Sequence, residues 1–461
     1  VTSIGASVEI EKRSRLINEK LANYIPPRER WTPVDEAVYE PTDLYRVPVD
    51  KAQEMQLKSV KYAFTRHYTY NHFYRQYCEM SGITPDDLKT SDDLEKIPLL
   101  PDITFKQHPT GKDLAYWITS IFTGDPPHVV IKGANPTFDD VINAFNAAGL
   151  VVSYSSGTSG QHTVTPRDMK TFLAAEYALI KLRASMIDQN FDHLLLLFPK
   201  PTTTNLWIGR VMSVNFDMYK DVQYALDFAI TADTTLRAMR GSQERNIKAT
   251  ASVQSDMQQR VVDKTIQWLE CYDKTEESIM LSGPPFLFFQ VMDTVQKEGK
   301  SFDFGERGVI ETAGGWKKHA EVSIPQADFR KQVRDVLGIP ESRCLDHYSM
   351  NEVNAFMFSC PEGHYLHTPY TYFKPLILDD DLMPTEYGEW GHFAFLDAIA
   401  QSYPGFIISG DEVRLLERCP VCDRLGPVLD PDIQRAKGEE VRGCSVVMRR
   451  VLEQILTRDN K

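Results

Sequence analysis

Residues 151–160 read VVSYSSGTSG. Two valines and a tyrosine, residue types that favour strands, lead straight into three serines, one threonine and two glycines at 155–160. A turn of that composition leaves backbone N–H groups facing outward with no large side chain in the way, and its hydroxyls add further donors. Phosphate is the natural guest of such a turn, although an ordinary surface loop has the same composition. The flanking sequence decides between the two.

Upstream, FDDVINAFNAAG has helical spacing; downstream, MKTFLAAEYALIKLRASMI reads as a helix and DHLLLLFP as a buried strand. This alternation predicts a parallel α/β sheet from Phe138 onward. A second α/β unit follows in SIMLSGPPFLFFQVMDTVQKEGKSFDFGERGVIETAGG, which runs strand, turn, helix, strand, Gly-Gly. Between the units, Asp217 to Asp273 is rich in Ala, Gln, Lys and Arg and is expected to be helical, as a side wall or lid. Asp50 to Gly82 reads as helix, and TPDDLKTSDDLEKIPLLPDITFKQ as a linker broken by Pro98 and Pro101. From Gly388 the pattern becomes strand-rich. The shifts divide the chain into a helical N-terminal region at 1–135, an α/β core with a β-rich subdomain at 136–434, and a remnant at 435–461.

A length of 461 residues exceeds what one core usually supports, so more than one lobe is expected. The net charge of −13 argues against nucleic acid as the main partner and leaves small molecules. No apolar run is long enough to span a bilayer, and the N-terminus carries charges where a signal peptide needs apolar residues, so a cytoplasmic protein is expected. The seven cysteines are odd in number and scattered apart from Cys419 and Cys422, which fits thiols or metal ligands better than a disulfide framework.

Four turns lie in order along the chain: SSGTSG, AGGWKKH, HYSMNE and SGDEVRL. Ser155, Ser156, Thr158 and Ser159 supply hydroxyls, while Gly157 and Gly160 let backbone amides approach a triphosphate. Glu352 is a carboxylate with polar neighbours, suited to a Mg²⁺ that keeps most of its waters; a solvated helix-end Glu is the alternative. Asp411, beside Gly410, has acceptors for two ribose hydroxyls and is expected at a strand end; a plain turn aspartate is its alternative.

The order of these motifs resembles the adenylate-forming superfamily over roughly residues 55–445. The likeness is strongest to the branch holding phenylacetate-CoA ligase and the acyl-protein synthetases of bacterial bioluminescence. HFYRQYCEMSGITPDDLKTSDDLEKIPLL is similar to the first helix of the former, and TAGGWKKH to a Gly-Gly-Trp-Lys turn of the latter. The resemblance implies an α/β N-terminal domain of stacked sheets with a small β-rich subdomain. It also implies that residues 155–160 hold ATP phosphates, that Gly314, Gly315 and Tyr348 hold adenine, that Glu352 serves Mg²⁺, and that Asp411 binds ribose.

Two departures sharpen the expectation. The family's hinge is reduced here to Gln434, Arg435, Ala436 and Lys437, in which Arg435 keeps a cation for ribose or phosphate. Typical members then continue into a C-terminal lobe carrying a catalytic lysine, whereas this sequence ends at Lys461, so a strongly truncated lobe is expected. Lys317 or Lys318 is a candidate substitute for that lysine, with an exposed surface lysine as the alternative. The acyl-protein synthetases resemble this short layout and carry an acyl-accepting cysteine near the C-terminus. Cys444, flanked by Arg442, Arg449 and Arg450, is the candidate; a buried inert cysteine is the alternative.

SCPEGHYLH followed by CPVC is similar to a structural metal element of phenylacetate-CoA ligase relatives. Cys360, Cys419 and Cys422 with His367 or His364 would make a tetrahedral zinc site. The expected function is ATP-dependent activation of a fatty or aryl acid, then acyl transfer to a protein cysteine, with a reductase or carrier as the further acceptor. A CoA ligase, a stand-alone adenylating enzyme and a non-catalytic nucleotide-binding subunit are the alternatives.

Overall fold

The computed structural model describes residues 2–156, 161–226, 229–232, 247–315 and 324–436. The N-terminal half of the expected helix at 50–82 is Val49–Tyr70, and the helix breaks at Asn71 before resuming as His72–Ser81. Asn71 causes the break: its backbone is extended, its side-chain oxygen caps the second helix at Tyr74 N (2.8 Å), and its amide donates to Ile121 O (3.0 Å). The segment expected to be a linker contains a two-residue strand, β1 (Leu100–Pro101), and a 3₁₀ turn, Asp102–Phe105.

Strands β2 (Val151–Tyr154) and β3 (Val164–Arg167) follow and pair antiparallel, so the Ser/Gly loop joins two arms of a hairpin rather than a strand and a helix. The helix Met169–Met186 is capped by Asp168, which accepts from Thr171 N at 2.7 Å. Next come β4 (His193–Pro199), β5 (Asp221–Leu226), β6 (Ile279–Gly283), β7 (Gly308–Ala313) and β8 (Cys344–Tyr348). These five run parallel in the order β5-β4-β6-β7-β8. The continuous apolar run of β4 suits a strand covered on both faces. Strand β5 corrects the helical expectation at its position: pairing with β4 along the sheet edge overrides a composition that favours helix.

From β8 the sheet changes direction. Strands β9 (Met357–Ser359) and β10 (Leu366–His367) pair antiparallel, and β11 (Phe373–Leu378), β12 (Trp390–Asp397), β13 (Phe406–Leu416), β14 (Val428–Leu429) and β15 (Gln434–Arg435) complete the β-rich part. The long β13 pairs with β1 in parallel and with β12, β14 and β15 antiparallel. One continuous set of buried side chains, from Ile17 to Leu429, therefore joins the N-terminal helices to the sheet.

The helix Met169–Met186 carries three ionisable side chains into that core. Arg183 grips Glu311 of β7 in a bidentate pair (2.5 and 3.1 Å), both fully buried, and losing one partner of such a pair costs about 3–5 kcal/mol. Lys181 reaches Tyr177 Oη at 3.1 Å. Glu176 accepts from Ser213 and from Val214 N (3.0 Å), and burial pushes its carboxyl up to about 8 from 4.5. The folded chain thus keeps a proton that the unfolded chain releases, so stability falls as pH rises between about 4.5 and 8. Glu176→Gln should match the wild-type melting temperature at pH 4.5 and exceed it by several degrees at pH 8.5; parallel melting curves across that range would overturn the assignment.

Candidate functional site

At the C-terminal end of β8 the chain turns sharply through Ser349–Asn354 and places Glu352 inside the protein, 5 % exposed. The base of the β2–β3 hairpin lies against this turn. Ser155 N donates to Thr163 O (2.9 Å) and Thr163 N to Ser155 Oγ (3.0 Å), which closes the hairpin below its loop. Asn351 Nδ2 donates to Thr163 O (3.0 Å), and the Thr163 side chain favours the ionised form of Glu352. His162 closes the other side, its Nδ1 2.7 Å from Ser155 O and its ring against Tyr154 and Phe138.

Burial pushes Glu352 up to about 7; Lys106 pulls it down and Asp102 raises it. Neither Lys106 nor Asp102 was singled out by the sequence. Both sit on the turn after β1, where they form an ion pair with each other. The parallel pairing of β1 with β13, Leu100 opposite Ile407, carries that turn to the site. A Cβ on Gly410 would lie 3.3 Å from Asp102 Oδ2, a tight contact, and 3.7 Å from Arg435 Nη1, an ordinary one, so the bare glycine gives Asp102 room beside β13. An Asp and a Lys four residues apart after a short strand were visible in the sequence, but nothing local linked them to position 410.

Asp411 lies within β13 rather than at a strand end, because β15 pairs back onto it with Arg435 opposite Asp411. Its Oδ2 accepts from Tyr348 Oη (2.5 Å) and its Oδ1 pairs with Arg435 Nη1 (2.9 Å). Burial, then Asp411, holds the Tyr348 phenol far above its usual range, so it is a donor at every working pH. Gly314 and Gly315 follow β7 with φ of 81° and 61°, a left-handed pair that ends the strand beside β8. Hydrogen bonds thus join the hairpin base at Ser155 and Thr163 to the Glu352 turn and join Tyr348 to Asp411, which pairs with Arg435, while Gly314 and Gly315 end β7 next to β8. Gly157, Thr158, Ser159, Gly160, Lys317, Lys318 and Cys444 lie outside the described residues.

A second constellation sits where β9, β10 and β14 meet. The donor atoms of Cys360, His367, Cys419 and Cys422 all lie within 4.8 Å of one another. Cys360 Sγ is 3.9 Å from Cys419 Sγ, and Cys422 Sγ is 3.3 Å from His367 Nε2. Cys360, and after it His367, draws the Cys422 thiol below its usual range. His364 is not among the converging donors. Three sulfurs and one imidazole fit a soft tetrahedral divalent ion and leave no position open for substrate.

Residues 151–453, well over half of the chain, match the family model described as acyl-protein synthetase, LuxE. The chain belongs to the LuxE acyl-protein synthetases. The matched span holds the hairpin, Glu352, Asp411 and the four metal-type donors, while Asp102 and Lys106 precede it. Two curated relatives are named long-chain-fatty-acid–luciferin-component ligase. The one from Vibrio harveyi is 25% identical over 424 residues, covering 90% of this chain and 93% of that protein. The one from Aliivibrio fischeri is 25% identical over 411 residues, covering 88% and 90%. Among solved structures, 2-hydroxyisobutyryl-CoA ligase in an open conformation with 2-HIB-AMP and CoA is 16% identical with a TM-score of 0.58. That alignment covers 91% of this chain and 76% of that one. The same ligase in its thioesterification state gives a TM-score of 0.59 at 15% identity, with 91% and 73% covered. This LuxE-family chain therefore has the adenylate-forming α/β fold and is an acyl-adenylate-forming synthetase. Among its described residues no helix is long and apolar enough to cross a membrane.

Proposed function

We propose that this LuxE-family chain activates a long-chain fatty acid with ATP and passes the acyl group first to its own Cys444 and then to a thiol of a partner protein. The observation that carries the reading is the turn after β8, which sets Glu352 against the hairpin base and within reach of the Lys106 charge, with Tyr348 at its start bound to Asp411 and its partner Arg435. The relatives named for long-chain fatty acids support the substrate class, and so does the apolar segment LSGPPFLFFQVM.

In this reading a carboxylate oxygen of the acid attacks the α-phosphorus of ATP, the bond to the bridging oxygen breaks, and pyrophosphate leaves with the electron pair. Donors at Ser155, Ser156, Gly157, Thr158, Ser159 and Gly160 hold the phosphates, and Lys106 or Lys317 offsets the charge that gathers there. Glu352 is the residue to hold Mg²⁺, which when bound would neutralise phosphate oxygens. Asp411 and Arg435 take the ribose, with Tyr348 and the Gly314–Gly315 turn beside the base. The Cys444 thiolate then attacks the acyl carbon, the bond from that carbon to the phosphate oxygen of AMP breaks, and AMP leaves with the electron pair. Cys360, His367, Cys419 and Cys422 would hold a structural Zn²⁺ that ties the segment after β9 to the segment after β13. Residues 1–135 form a helical support for the 136–434 core.

The test is incubation with ATP, Mg²⁺ and a panel of labelled acids, reading pyrophosphate exchange and protein-bound label together. Exchange with fatty acids and label released by neutral hydroxylamine are expected. Cys444→Ser should abolish the label, a loss of more than about tenfold, and leave exchange intact. Label that persists in that variant, or passes straight to CoA, sinks the self-acylation step; absence of exchange with every acid sinks the activation step.

A further inference from the structure

Arg167, the last residue of β3, is fully buried, yet no carboxylate pairs with it among the described residues. Its guanidinium spends its donors on neutral acceptors drawn from two segments. Toward its own hairpin, Nη1 donates to Ser153 Oγ (2.9 Å) and Thr165 Oγ1 (2.6 Å). Toward the turn that carries Glu352, Nη2 donates to Asn351 O (2.5 Å) and Val353 O (3.4 Å), and Nε to Asn354 Oδ1 (2.6 Å). The plane is clamped from one face by Trp207, whose ring centre is 3.6 Å from Cζ. On the far side Asn354 is tied to Asp397 (2.6 and 2.9 Å), and Tyr403 Oη, itself bound by Asn354, donates to Glu352 O (3.1 Å).

Burying a lone cation is costly unless each donor is satisfied. A methionine or leucine would fill the same space without that cost, so packing alone does not account for an arginine here. What only a five-donor planar fork does is set the spacing of both segments at once. Those segments are the base of the phosphate loop and the turn holding the metal-type carboxylate, and adenylation requires the two to be in register on one triphosphate. Misplacement by about 1 Å costs on the order of 10²-fold in rate.

We infer that Arg167 is the positioning residue that fixes the phosphate loop against the Glu352 turn. It acts through Thr163 and Glu352 and touches neither ATP nor the acid. This rests on the adenylation reading above.

Arg167→Lys keeps the charge and removes the fork, and Thr165→Val removes one hairpin acceptor at nearly constant volume. Pyrophosphate exchange is measured for both against Mg²⁺ concentration and against acid concentration, per folded molecule, with the wild type alongside. For Arg167→Lys, at least tenfold lower kcat and at least fivefold higher half-saturating Mg²⁺ are expected, with KM for the acid unchanged. For Thr165→Val, a shift of about threefold in half-saturating Mg²⁺ is expected. A residue that only supports the fold lowers the melting temperature and leaves the Mg²⁺ dependence of the folded fraction at the wild-type value; that result in both variants overturns the inference. If Arg167→Lys does not fold, Thr165→Val alone decides. A wild type without exchange or Mg²⁺-dependent ATP binding brings down the adenylation reading and the inference with it, whereas normal wild-type exchange with unmoved variants brings down the inference alone.

Discussion

Glu352→Gln should lower ATP–pyrophosphate exchange by at least about a hundredfold, the scale seen when a charge-stabilising group is removed from a closed site. The carboxylate is 5 % exposed, and the other carboxylate that acts on it, Asp102, is itself paired with Lys106. Its pH behaviour gives a second readout. Burial places the free-enzyme group at about 7, so protons compete with the metal below that value. At limiting Mg²⁺, exchange should fall about tenfold per pH unit below 7 and level off above it, and saturating Mg²⁺ should move the limb to lower pH. Glu352→Gln should lack that limb altogether. Stability should move the opposite way: ionising the buried carboxyl between pH 4.5 and about 7 costs the wild type folding free energy, and the variant escapes it. A variant that is nearly inactive yet melts higher than wild type at pH 8 is the expected outcome. Retained exchange, or a wild-type pH limb in the variant, would falsify the metal-holding role.

The second large effect belongs to the cysteine–histidine cluster. Structural zinc sites contribute about 10–16 kcal/mol in small peptides, comparable with or greater than the whole net stability of a domain, about 5–15 kcal/mol. Cys360 and His367 lie on or beside β9 and β10, while Cys419 and Cys422 lie between β13 and β14, so the ion would close a link between the two sides of the β-rich part. Protein purified without added metal should contain close to one zinc per chain. Cys419→Ser should lose it and melt at least about 10 °C lower, with ATP affinity per folded molecule kept within a few fold. His364→Ala, outside the cluster, should keep the full complement of zinc. A metal-free preparation that is as stable as the loaded one, with Cys419→Ser equally stable, removes the site from the account.

Arg167, Lys106 and Asp102 show where sequence reasoning stopped. Arg167 ends a four-residue strand in which every residue is buried, so its pattern is that of any strand end. Its importance comes from Asn351, Val353 and Asn354, which lie more than 180 positions later and meet it only because the hairpin folds onto the turn after β8. Lys106 was read as part of a linker because β1 has only two residues, and no periodicity shows in so short a run. Asp411 was expected at a strand end, and its place inside β13 depends on β15 returning to pair with it.

The apolar run at 194–199, the helix capped by Asp168 and the alternation with strands made a parallel α/β sheet readable. The spacing of Ser155, Gly314, Glu352 and Asp411 along the chain made the adenylate-forming family readable, and the CPVC knuckle announced a metal-type pair. These are local signals: burial periodicity, turn chemistry and ligand spacing act within a few residues, where the chain's own geometry fixes what is adjacent. The tertiary structure alone decided that the Ser/Gly loop closes an antiparallel hairpin, that Asp221–Leu226 is a strand, and that His367 rather than His364 joins the three cysteines. It alone placed Lys106 beside Glu352 and Arg167 behind it. Each of these depends on sheet register between segments far apart in the chain, where a shift of one residue turns every side chain to the opposite face, and no local pattern encodes that choice.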